Sequence, residues 1–209
     1  MEEFVRLYKN IHKHCSYYCR HLGHLKGLIG NDDWIRVVDG SMSGRALALG
    51  NSEIINALVL FNTRMFDTGR DAITIHSLCR NLPSDLEIEQ YHSERMAKIG
   101  ITYEIERYFA AKRQFVELNR RVRNNSTLSQ LKSLRDYTLA HNIDPKTKFD
   151  RATLKDLLDL TERVHEIVDQ AGYIVESSRN VYRDFPKRAE KETRMLCAAL
   201  PMLASIERE

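Results

Sequence analysis

Apolar residues recur at intervals of three and four along most of this chain, and no stretch alternates polar and apolar over the length of a strand. Phe4, Leu7, Tyr8, Ile11, Cys15, Tyr18, Cys19, Leu22 and Leu25 form the first such stripe. A period near 3.6 residues puts them on one helix face, so the spacing predicts an amphipathic helix over roughly 2–29, ended by Gly27 and Gly30-Asn31. Nine glycines and four prolines in 209 residues are too few for a loop-rich β-sandwich. The fold class expected is all-α, an up-down bundle of four to five main helices with N- and C-terminal additions.

The remaining elements follow from the same periodicity. Residues 31–51, with Trp34 and three glycines, read as irregular. A second helix is expected from a cap at Asn51-Ser52 to about Asn81, stopped by Leu82-Pro83-Ser84. A third helical region covers roughly 85–122, with a break near Gly100. Asn124-Asn125-Ser126 reads as a turn and cap for a short helix from Thr127 to about Asn142, closed by Asp144-Pro145. Asp150 is expected to cap a long helix through Ile174, and a last helix spans about 188–206 with Pro201 interrupting it. One domain is expected. Its core lies at about 50–180, residues 1–50 hold an N-terminal helix and the irregular segment, and 181–209 form a C-terminal extension.

Thirty-two basic against 29 acidic side chains leave a formal charge of +3, which does not by itself announce a nucleic-acid binder. No apolar run approaches a membrane span, and Met1-Glu2-Glu3 does not open a secretory signal. Cys15, Cys19, Cys79 and Cys197 form no CxxC pair, so reduced thiols in a cytoplasmic protein are the expectation. His12, Cys15 and Cys19 have nominal zinc-ligand chemistry, but the two cysteines lie on the apolar stripe, where thiols act as small hydrophobes. No metal or cofactor is expected.

The most informative run is Leu134-Arg135-Asp136-Tyr137-Thr138-Leu139-Ala140-His141-Asn142. At about 100° per residue, Leu128, Leu131, Leu139 and Asn142 all fall within about 40° of Arg135. Arg135 therefore sits inside an apolar stripe, where a guanidinium needs a partner or a cleft. His141 lies about 120° around the helix, so the pair shares no face unless the Arg swings, the helix end unwinds or two chains meet. By spacing alone, an intrachain ion pair on Arg135 and a His capping a helix C-terminus satisfy the same pattern.

The run from Arg135 to His141 resembles the Arg-x(4–6)-His signature of the HEPN superfamily, the "higher eukaryotes and prokaryotes nucleotide-binding" helical domains. Leu-Arg-Asp-x-x-x-Ala-His-Asn before a Lys-rich turn resembles, more narrowly, the abortive-infection AbiU-type branch. The segment Ala57–Asp67, with its Arg-x-x-Asp element at Arg64 and Asp67, followed by Ile73-Thr74-Ile75-His76-Ser77-Leu78, resembles that branch's second helix. Together these cover roughly 50–180.

The resemblance implies a helical bundle that pairs as a homodimer, with Arg and His lining a cleft on the two-fold axis. It implies a metal-independent endoribonuclease, a toxin or phage-defence effector, with RNA as substrate. His141 would be the acid/base, since an imidazole titrating near neutrality can move the 2′-OH proton. Arg135 would clamp the phosphoryl oxygens and Asp136 would orient Arg or His. Asn142 would contact substrate. Arg120, Arg121 and Arg123 before the motif helix, with Lys146 and Lys148 after it, would collect phosphates, although such clusters also complement helix ends. Asp67 or Arg64 would reach the motif helix and orient Arg135; the plain alternative is a surface ladder of Arg64, Asp67 and Arg70. Some HEPN toxins carry a modifiable Tyr two residues past the His. Ile143 stands there, which removes that route of control by a partner antitoxin and leaves the trigger open. The alternative functions are a non-catalytic HEPN module that binds nucleotide or RNA, and a helical interaction module.

Overall fold

The structure, a computed structural model, describes residues 1–29, 41–69, 72–99, 103–140, 152–176 and 184–206. Every regular element among them is a helix: α1 (Glu2–Ile29), α2 (Met42–Met65), α3 (Ile75–Arg80), α4 (Asp85–Ile99), α5 (Ile105–Arg123), α6 (Ser126–Ala140), α7 (Leu154–Glu176) and α8 (Asp184–Ile206). Those of 19 residues or more are α1, α2, α5, α7 and α8. No helix among the described residues is long and apolar enough to cross a membrane.

Helix α1 matches its stripe. Phe4, Leu7, Tyr8, Ile11, Cys15, Cys19 and Leu25 enter one buried cluster with residues of α2 through α7. That cluster begins at Phe4, so α1 contributes to the buried core. Glu2 and Glu3 in its first turn complement the helix dipole. Tyr8 leans on Gly172, Cys19 faces His165 and Lys26 pairs with Glu162, so α1 and α7 run antiparallel.

Several boundaries differ from the spacing. Helix α2 begins ten residues before the expected cap, because the Ser41 hydroxyl accepts the Gly44 N–H at 3.0 Å. It ends at Met65, well short of Asn81. The apolar period runs on, but Thr74 starts a separate helix. Its hydroxyl accepts the Ser77 N–H at 3.2 Å while Ser77 Oγ accepts the Thr74 N–H at 2.9 Å. Tyr103 and Glu104 separate α4 from α5; Gly100, where the break is expected, lies outside the described residues. Asn125 Oδ1 accepts the Thr127 N–H at 2.9 Å and starts α6. Thr153 and Asp156 cap each other reciprocally at the start of α7; Asp150, expected there, lies outside the described residues. Helix α8 starts at Asp184 and continues through Pro201, since a proline keeps a helical φ and forfeits one hydrogen bond.

Helix α8 lies along α1 in the same direction. Gly23 opposes Pro186 and Ala189, and Gly27 opposes Glu190 and Thr193. A Cβ on Gly27 would stand 2.7 Å from Thr193 Cβ and 2.8 Å from the Glu190 carbonyl. A Cβ on Gly23 would strike the Pro186 carbonyl, which is backbone and cannot swing away. Gly23→Ala gains about 1 kcal/mol of helix propensity, but overpacking against backbone costs about 1–3 kcal/mol. We expect a net loss of about 1 kcal/mol, read as a lower urea midpoint; a raised midpoint would mean the helices part freely.

Candidate active site

The site is assembled where α6 docks on the end of α2. Leu128 and Leu131 on α6 are buried, and they anchor the helix face that carries Arg135. One turn before it, Lys132 Nζ donates to the Phe66 carbonyl at 3.2 Å, a cation placed on a helix C-terminus. Arg135 Nη1 donates to the Asp67 carboxylate at 3.2 and 3.4 Å. Its Nε donates to Asp136 Oδ1 at 2.9 Å. The Arg135 side chain is 20% exposed, against 39% for Asp67 and 60% for Asp136. The two carboxylates, Asp136 foremost, push the guanidinium pKa up and keep it charged. Nη2 has no partner among the described residues.

Asp67 is fixed in turn. It lies just past α2, where its N–H bonds back to the Arg64 carbonyl at 3.1 Å and its own carbonyl accepts the Thr74 hydroxyl at 3.1 Å. Among the described residues Arg64 and Asp67 form no helical ion pair, since α2 stops at Met65; Arg70 lies outside the described residues. Asp67 faces α6, whereas Arg64 is exposed.

The basic cluster at the end of α5 separates. Phe115, Asn119 and Val122 define the buried face. Arg120 and Arg121 lie on the opposite side and both bind Glu117: Arg120 by two hydrogen bonds of 3.0 Å and Arg121 by one of 2.7 Å. Arg123, at the edge of the buried face, turns to α3 and donates to His76 Nδ1 at 2.8 Å. His141, Asn142, Lys146 and Lys148 lie outside the described residues.

With this geometry in view, the comparison with known families is decisive. A family profile described as AbiU2, of the HEPN class, matches residues 1–196. The chain belongs to the AbiU2 family. It is thus an abortive-infection-related HEPN-domain protein. No curated protein and no solved structure matches it.

In this AbiU2 protein, the structure joins Arg135, Asp136 and Asp67. Lys132, Thr74 and His76 were not singled out from spacing; Lys132 stood one turn before Arg135, which was the available signal. On α1, Cys15 and Cys19 are buried and His12 meets Tyr8 at 3.1 Å. Among the described residues no three His, Cys, Asp or Glu side chains converge as metal ligands.

Proposed function

We propose that this AbiU2 protein is a metal-independent endoribonuclease, a toxin or phage-defence effector acting in the cytoplasm as a homodimer. The observation that carries the reading is Arg135. It is a half-buried arginine whose guanidinium is held between Asp67 and Asp136, with no partner on Nη2 among the described residues, at the first position of the HEPN signature. A purely structural ion pair needs one carboxylate. Two carboxylates fix the plane of the group and leave a corner for phosphate.

RNA brings its own nucleophile. Neutral His141 takes the 2′-OH proton, and the 2′-oxygen bonds to phosphorus. The bond from phosphorus to the 5′-oxygen breaks, and that oxygen leaves with the proton. Negative charge grows on the non-bridging oxygens in between, and Arg135 stabilises it. Asn142 contacts the substrate beside His141, and Lys146 and Lys148 draw in neighbouring phosphates. Arg120 and Arg121 contribute only after leaving Glu117.

The test is product chemistry. Incubation with total RNA and a tRNA pool in excess EDTA should leave 2′,3′-cyclic phosphate and 5′-hydroxyl ends. Ends of the opposite kind, a 3′-hydroxyl and a 5′-phosphate, would contradict the proposal, as would loss of cleavage in EDTA. Light scattering should report twice the chain mass.

A further inference from the structure

We propose that His76, Arg80 and Arg123 form a second phosphate-binding station for the RNA strand, beside the Arg135 site. This rests on RNA being the substrate. His76 and Arg80 stand four residues apart on α3 and so share a face. Arg123 joins them from the end of α5, with Nη2 2.8 Å from His76 Nδ1. One turn earlier on α5, Asn119 Nδ2 donates to Cys79 Sγ at 3.0 Å, so two contacts hold α5 against α3.

An arginine only donates, so His76 Nδ1 is the acceptor and the imidazole is neutral with its proton on Nε2. Arg123 thus spends a hydrogen bond on a neutral ring and keeps its full charge. Among the described residues neither Arg80 nor Arg123 has a carboxylate partner. Arg120 and Arg121 share Glu117, and Arg135 has Asp67 and Asp136. Two cations with no carboxylate partner among the described residues and an N–H donor on one corner fit a phosphate. Burial and the two arginines hold the His76 pKa below its ordinary value, which a bound anion would reverse.

The corner is also in the right place. Asp67, which grips Arg135, receives the Thr74 hydroxyl, and Thr74 precedes His76 by two residues. Along the other connection, Ser126 and Arg135 are about 14 Å apart on α6. A strand with its scissile phosphate on Arg135 would reach this corner within a few nucleotides.

The experiment uses the full chain and a short 2′-O-methyl single-stranded RNA, which binds without being cut. We expect Arg80→Gln with Arg123→Gln to weaken binding about tenfold at moderate salt and together to flatten the salt dependence by about one phosphate contact. In histidine-labelled protein, the oligonucleotide should raise the His76 pKa, and inorganic phosphate should do so more weakly. The exposed side chains can be changed without loss of fold, which circular dichroism checks, and His76→Gln gives an independent arm. Unchanged affinity and salt slope in the double variant would overturn the proposal, as would a His76 signal indifferent to the oligonucleotide. If the wild type binds through His76 yet cuts nothing, the nuclease reading fails and this station stands. If the double variant cuts with unaltered KM, the station fails and the nuclease stands.

Discussion

His141→Ala is expected to lower the cleavage rate by about 10²–10⁴-fold, and Arg135→Ala by about 10²–10³-fold. The first removes the group that carries the proton, the second the charge that meets the growing phosphoryl charge. Asp67 touches no reacting atom in this account, so it is a positioning residue. Its Oδ1 and Oδ2 lie 3.2 and 3.4 Å from Arg135 Nη1, and its loss frees the guanidinium to rotate. Misplacing a clamp by about 1 Å is worth up to about 10²-fold. Asp67→Asn should therefore lower kcat with little change in KM or in the unfolding midpoint, and Asp67→Glu should recover part of it. A fall in stability that tracks the fall in kcat would instead make Asp67 structural.

The second large effect is on stability. His165 on α7 is buried beside Cys19, and burial foremost, with the Lys26 charge behind it, drives its pKa down to about 3. The folded chain holds the ring neutral, whereas the unfolded chain titrates near 6.5. Protons therefore bind the unfolded state preferentially below about pH 6.5. The stability contributed by the neutral ring is complete above that pH and falls as pH drops toward 3. Between pH 7 and pH 5 the loss from His165 is about 2 kcal/mol. His21 and His92, whose pKa values burial also lowers, add to it with the same sign. Urea unfolding at the two pH values should show this loss, and His165→Leu should shrink it. An equal slope in that variant would place the acid sensitivity elsewhere.

The sequence revealed those parts that depend on neighbours along the chain. The stripe of α1 and the turn at Asn124-Asn125 are local, and each is where periodicity and turn chemistry put it. Both ends of helix α2 differ from the spacing because their determinants are weak signals. Ser41 caps a Gly- and Ala-rich first turn that resembles a loop. Asp67–Gly69 and Ala72–Thr74 leave helix geometry while the apolar spacing continues across the segment. Thr74 and Ser77 form a capping box without the usual Glu or Gln. The spacing of Arg64, Asp67 and Arg70 leaves the pairing of Asp67 with Arg135 as one option beside a surface ladder. The contact of Arg123 with His76 spans 47 residues and no local pattern encodes it. His165 sits on the apolar stripe of α7 between Val164 and Val168, a legible sign of a buried imidazole.

The most direct test is a single comparison: cleavage of one end-labelled RNA by wild-type and Arg135→Ala protein, both folded, in excess EDTA. The account predicts cyclic-phosphate products from the wild type and at least about a hundredfold slower formation of them by the variant. Equal cleavage by both proteins would contradict it, since the guanidinium held by Asp67 and Asp136 would then take no part in the chemistry.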